Sequence, residues 1–174
     1  MKSDTIIISN TGNGFHDAVE QTRKVAVYNG IEGLNAVQLE VLTEEMLSLA
    51  RSITGQMTAF FWIEVENGKA ELHMSTKTVL DKEQRAELIA SSTSRKNEKA
   101  KTFLGMIRDR FEEAMAAEVQ HETLPYDILQ DIAPGNFTEA EWDGYERSIL
   151  RTLADEVKIG IQGGYVDITV TKQF

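Results

Sequence analysis

Glu44 and the polar tract Ser91–Lys101 are the places where this chain's residue types and spacing can do chemistry. Glu44 lies within Leu34–Thr54 (LNAVQLEVLTEEMLSLARSIT), on one helical stripe with Val37, Val41 and Ser48. Residues three and four apart share a side of a helix. A carboxylate on such a stripe sits where a ligand or partner can meet it, and it can serve as a general base. A half-exposed helix carboxylate beside Glu45, with Arg51 further along, accounts for the same residue without chemistry. The tract SSTSRKNEKAK offers hydroxyls, Thr93 and Ser94 among them, together with Arg95, Lys96, Lys99 and Lys101, just ahead of an amphipathic segment. Cations and hydroxyls at the start of a helix suit a phosphate group; a solvated loop between helices is the competing reading. His16, His73 and His121 share no spacing that would converge on zinc, and His73 on its alternating strand reads as a packing or surface residue. The chain has no cysteine, which excludes a disulfide framework, thiolate zinc and a cysteine nucleophile.

The elements that must position these residues follow from periodicity and turn chemistry. Thr5–Ser9 is β-branched and reads as a strand, and Phe15–Tyr28 as a helix with Phe15, Val19, Thr22 and Ala26 on one side. Leu34–Thr54 carries Leu39, Leu42, Met46, Leu49 and Ile53 as its main apolar stripe. With Val37 and Val41 on nearly the opposite side, it reads as a helix sandwiched between two layers. Gly55 supplies its stop. Met57–Val65 and Lys69–Thr78 flank Asn67-Gly68, the strongest short hairpin signal because both residues accept positive φ. Asp81 with Gln84 forms a capping-box pattern for a helix to Ala90, and Phe103–Ala114 continues as another amphipathic helix.

Both prolines, Pro125 and Pro134, fall in an irregular stretch at 118–137, which predicts an insertion or a functional loop. Thr138 with Glu141 caps a further helix bearing Trp142, Tyr145, Ile149 and Leu153. Val157–Ile161 and Tyr165–Thr171 then form a second hairpin around Gly163-Gly164. The order β-α-α-β-β-α-α-loop-α-β-β predicts one α+β domain over residues 1–174, a two-layer sandwich with a mixed sheet and helices on one face. Alternation sends Phe60 and Trp62 to one face of the sheet and Phe61 to the other, which suggests a covered outer face and a possible homodimer.

This element order, and the helix carrying Glu44, resemble the ATP-binding domain of histidine kinases, DNA gyrase B and anti-sigma factor kinases (the GHKL, or Bergerat, fold). The nearest likeness is to small stand-alone bacterial proteins of the anti-sigma factor type, on the segments Val41–Leu47 and Thr93–Asn97. The resemblance implies that Glu44 activates water or an acceptor hydroxyl. It puts Ser48 where the family has a magnesium-binding Asn, so any metal contact would run through Ser48 and a magnesium-nucleotide. Thr76 ends a strand where the family has the Asp that recognises adenine, and no glycine follows it. The phosphate-binding box corresponds to the hydroxyl and lysine tract, with Thr93, Ser94, Lys96 and Lys101 as its contacts.

An ATP-binding regulatory protein of the anti-sigma factor kinase type, using ATP and Mg2+ and acting on a regulatory protein partner, is therefore one expectation. The replacements at Ser48 and Thr76 imply another, a degenerate, non-catalytic member that binds a protein or senses a small molecule. Whether the chain is an enzyme stays open between them. The net charge of -10 argues against nucleic acid and anionic membranes as partners. The amino-terminal apolar run of three Ile is too short for a signal or a span, so a cytoplasmic location is expected.

Overall fold

The computed structural model describes residues 1–9, 11–54, 58–100 and 149–174. Gly55, Lys101, the expected helix Phe103–Ala114, the stretch 118–137 and the helix start at Thr138 lie outside the described residues. The described chain runs β1 (Ile6–Ser9), α1 (Phe15–Tyr28), α2 (Leu34–Thr54), β2 (Thr58–Glu66), β3 (Lys69–Lys77), α3 (Lys82–Ser91), β4 (Glu156–Gln162) and β5 (Tyr165–Gln173), with a 3₁₀ turn at Glu98–Ala100 and helical residues at 149–153. Local chemistry explains the boundaries. Asn67 and Gly68 turn the first hairpin at φ of 50° and 74°, and Gly163 and Gly164 turn the second at 63° and 75°. Asp81 caps α3 by accepting from the Gln84 N–H at 2.8 Å, while the Gln84 side chain accepts from the Asp81 N–H at 3.1 Å.

The five strands form one sheet in the order β1-β2-β3-β5-β4. Among the described residues every strand pair is antiparallel, so the mixed sheet expected from the sequence gives way there to an antiparallel one. The physical reason is the connection between hairpins: β5, not β4, pairs with β3, and it does so head to tail. Within the described residues the only parallel element is an isolated bridge between Asn97 and Ile159.

Period-two alternation gives the sheet an apolar inner face. Ile8, Phe61, Ile63, Leu72, Met74, Val157, Ile159, Ile168 and Val170 are all buried there. α1 and α2 pack together over this face. Small buried residues lie on both helices, Ala18 and Ala26 on α1 and Ala36 and Ala50 on α2, and the Thr22 and Thr43 hydroxyls meet at 3.0 Å in the interior.

The main stripe of α2 is buried as its spacing predicts, at Leu39, Leu42, Met46 and Leu49. The second stripe is elsewhere. Val37 is exposed, Glu44 is exposed, and Val41 and Ser48 are only half-buried. The additional buried positions are Ala36, Thr43, Leu47 and Ala50. At about 100° per residue these adjoin the main stripe and widen it to an arc of roughly 160°. Small residues and a threonine carry little apolar signal, whereas two valines on the outward side carry a strong one. Among the described residues the helix is thus covered on one broad side and not sandwiched. Leu42→Ala is expected to cost about 2–5 kcal/mol in urea unfolding, and Glu44→Ala to stay within about 0.5 kcal/mol; comparable losses would mean that the outward side of α2 is packed.

Candidate functional site

The residues expected to meet one ligand are distributed over three surfaces. Glu44 and Ser48 lie on the side of α2 turned away from the core, Glu44 exposed and Ser48 half-buried. Thr76 is on the inner face of β3, fully buried, with its hydroxyl donating to the Thr58 carbonyl at 3.0 Å across the hairpin. Thr93, Ser94 and Lys96 run along the free edge of β4. Lys101 lies outside the described residues.

The structure brings the Thr93–Lys99 residues together for a purpose that the sequence did not suggest. An edge strand presents unpaired N–H and C=O groups, a template for unwanted pairing. Here those groups are occupied. The Thr93 N–H donates to the Val157 carbonyl at 2.9 Å, and the Val157 N–H donates to the Thr93 hydroxyl at 2.7 Å. Four residues on, the buried Asn97 side chain imitates a peptide group. Its Nδ2 donates to the Ile161 carbonyl at 2.8 Å and its Oδ1 accepts from the Ile161 N–H at 2.8 Å. Between these two clamps, Ile159 forms the bridge with Asn97. Ser94 is turned to local duties, its hydroxyl 3.3 Å from both the Lys96 N–H and Glu98 Oε1.

The strap continues onto the outer face of the sheet. The stem of Lys99 crosses Gly160 so closely that a Cβ there would lie 3.0 Å from Lys99 Cε. Its ammonium reaches Asp167 Oδ2 at 3.2 Å, and Asp167 Oδ1 accepts from the Ser75 hydroxyl at 2.7 Å. Gly160 is thus the residue that lets a basic side chain lie flat on the sheet. Nothing in the spacing of Asn97, Lys99, Ser75 and Asp167 announces this group, because it depends on the pairing of β3 with β5.

The remaining outer face is polar and aromatic. Phe61 is buried in the core, whereas Phe60 is 47% exposed beside Ile7. Trp62 finds its cover within the chain, stacked on His73 at 5.0 Å and topped by the Lys2 ammonium at 4.9 Å. The Trp62 indole N–H donates to Glu64 at 2.9 Å. That bond and the Lys2 ammonium beside it hold the Glu64 carboxyl below the usual range, Lys2 contributing most. Among the described residues no three His, Asp or Glu gather as a metal ion would need, and no helix is long and apolar enough to cross a membrane.

No model of a known protein family matches this chain, and a search of curated proteins finds no match. Asn97→Ala removes both halves of the lower clamp and is expected to destabilise the protein by about 1–3 kcal/mol. Urea unfolding checks this, and an unchanged midpoint would mean that the strap does not hold β4.

Proposed function

We propose that this chain is a degenerate relative of the ATP-binding domains it resembles, kept as a non-catalytic module that binds a protein partner. The observation that carries this reading is an apolar patch at one end of the helix pair. Val27, Tyr28, Leu34 and Val37 are 54%, 79%, 82% and 53% exposed. The short connection between α1 and α2 places all four at the same tip. Large apolar side chains gathered in this way mark interaction surfaces more often than scattered ones do.

The placement of the nucleotide residues supports the choice of binding over turnover. A base on the outward side of α2 and an adenine contact beneath the helices do not face a common ligand. Catalysis needs its groups within hydrogen-bond reach of one reacting centre. The hydroxyls of Thr76 and Thr93 are already engaged, so presenting them to phosphate or adenine would forfeit bonds that hold the hairpin and the sheet edge. Helices lying on one face of a sheet support the relationship in fold.

Thermal unfolding with ATP–Mg2+ and with ADP tests the nucleotide side of the proposal. The expected outcome is no change in Tm at millimolar nucleotide. A ligand at a hundred times its Kd would add about 2.7 kcal/mol, several degrees for a domain of this size, and such a rise would contradict the reading. Affinity capture tests the surface. A partner held by the native chain should be lost with Leu34→Asp or Val37→Asp, and equal retention by the variants would overturn the assignment of the tip.

A further inference from the structure

His73 occupies an unusual position on the outer face of the sheet. Its ring lies nearly parallel to the Trp62 indole, at 11° and 5.0 Å between centroids. Nδ1 is 3.3 Å from the Thr169 hydroxyl on β5. Nε2 is buried and makes no hydrogen bond. Glu71 Oε2 lies 3.7 Å from it, too far for a hydrogen bond but within ion-pair range. The other oxygen of that carboxylate is held by the Lys69 ammonium at 2.6 Å. On the next strand the Thr171 hydroxyl, directly opposite Glu71, is also buried and unpartnered.

We propose that His73, Glu71 and Lys69 form a proton-operated switch on the outer face of the sheet. With His73 neutral, Glu71 belongs to Lys69 and the imidazole rests on Trp62 with an idle Nε2. With His73 charged, a buried N–H without an acceptor is costly, and the Glu71 carboxylate closes on Nε2 at the expense of its bond to Lys69. The imidazolium then stays stacked on Trp62 as a cation on an aromatic face. Lys69 and Glu71 line a surface concavity of about 490 Å³ together with Lys2 and Glu64, so their ion pair borders open space.

Other charged groups around His73 set the proton's affinity. On β2 it faces Glu64, itself paired with Lys2 at 2.9 Å; along β3 it has Lys69 and Glu71; across Thr169 on β4 lies Lys158, paired with Glu156 at 2.8 Å; and Asp167 is two residues along β5. Burial holds His73 below its usual value of 6.5, opposed by the nearby Glu64 and Glu71 carboxylates. The sign follows from this. The stability that neutral His73 contributes is complete above pH 6.5 and is lost as pH falls from there through the folded-state value.

Trp62 reports the charge directly, because an imidazolium quenches a stacked indole. The chain has two tryptophans, so the titration uses full-length protein carrying Trp142→Phe. Emission should fall in one proton step with its midpoint below pH 6.5. The step should vanish in His73→Gln, move to lower pH in Glu71→Gln, and move to higher pH in Lys69→Gln, where Glu71 is released from its competitor. Lys69 sits at the exposed start of its strand, so this last variant keeps the stacked pair even if His73→Gln unfolds. A step that persists without His73, or a midpoint indifferent to both Glu71 and Lys69, would overturn the proposal.

Discussion

The pairing of β3 with β5 is the constraint on which the rest of the structure depends. Each hairpin is local and is closed by its own turn, but neither alone buries an apolar face. The nine-residue ladder from Lys69↔Gln173 to Lys77↔Tyr165 joins them into one sheet. Residues that meet across it, such as Ser75 and Asp167, are 92 positions apart in the chain. Closing so long a loop costs chain entropy that grows only slowly with its length. Burial of Leu72, Met74, Ile168 and Val170 on the inner face offsets it, at about 1.5–3 kcal/mol for each fully buried large side chain. Once this register is fixed, each outer-face neighbour is fixed with it, because side chains alternate with a period of two.

Two consequences follow on opposite sides of the sheet. Inside, the helices meet a continuous apolar surface, and α2 turns its broad buried arc toward it. Outside, the register sets His73 between Trp62 and Thr169, and Asp167 between Ser75 and Gly160. It also leaves β4 as the last strand, with an edge that needs covering. The segment from Thr93 to Lys99 meets that need with side-chain bonds in place of a sixth strand. Polar residues whose composition suits a phosphate are thereby committed to backbone groups of the sheet.

Much of the fold was legible because its signals are local. Asn67-Gly68 and Gly163-Gly164 announced their hairpins, Asp81 with Gln84 announced the start of α3, and the spacing of Leu39, Leu42, Met46 and Leu49 announced the core face of α2. The misreadings share a cause. Val37 and Val41 look like core residues by type, yet they face outward, while Ala36, Thr43 and Ala50 are buried and look neutral by type. Strand order and direction leave no trace in local pattern, so the sheet was expected to be mixed. For the same reason the candidate site was legible only as a set of residues. Glu44, Thr76 and Thr93 were identifiable as chemically able, but their separation onto three surfaces is a property of tertiary packing. Asn97 stood out only as the end of the segment Thr93–Asn97, and its structural role gave no signal, since an amide that imitates a peptide bond is recognisable only beside the strand it holds.

The central claim is that the segment from Thr93 to Lys99 is a structural strap on β4, and we propose that it serves in this way and not as a phosphate-binding loop. Amide hydrogen exchange at Val157 and Ile161, measured with and without ATP–Mg2+, tests it most directly. On a bare edge strand these two N–H groups would exchange freely. The account predicts strong protection of both amides, through the Thr93 hydroxyl and the Asn97 carbonyl oxygen, with rates indifferent to nucleotide. Rapid exchange in the free protein, or rates at these two positions that change when nucleotide is added, would contradict it.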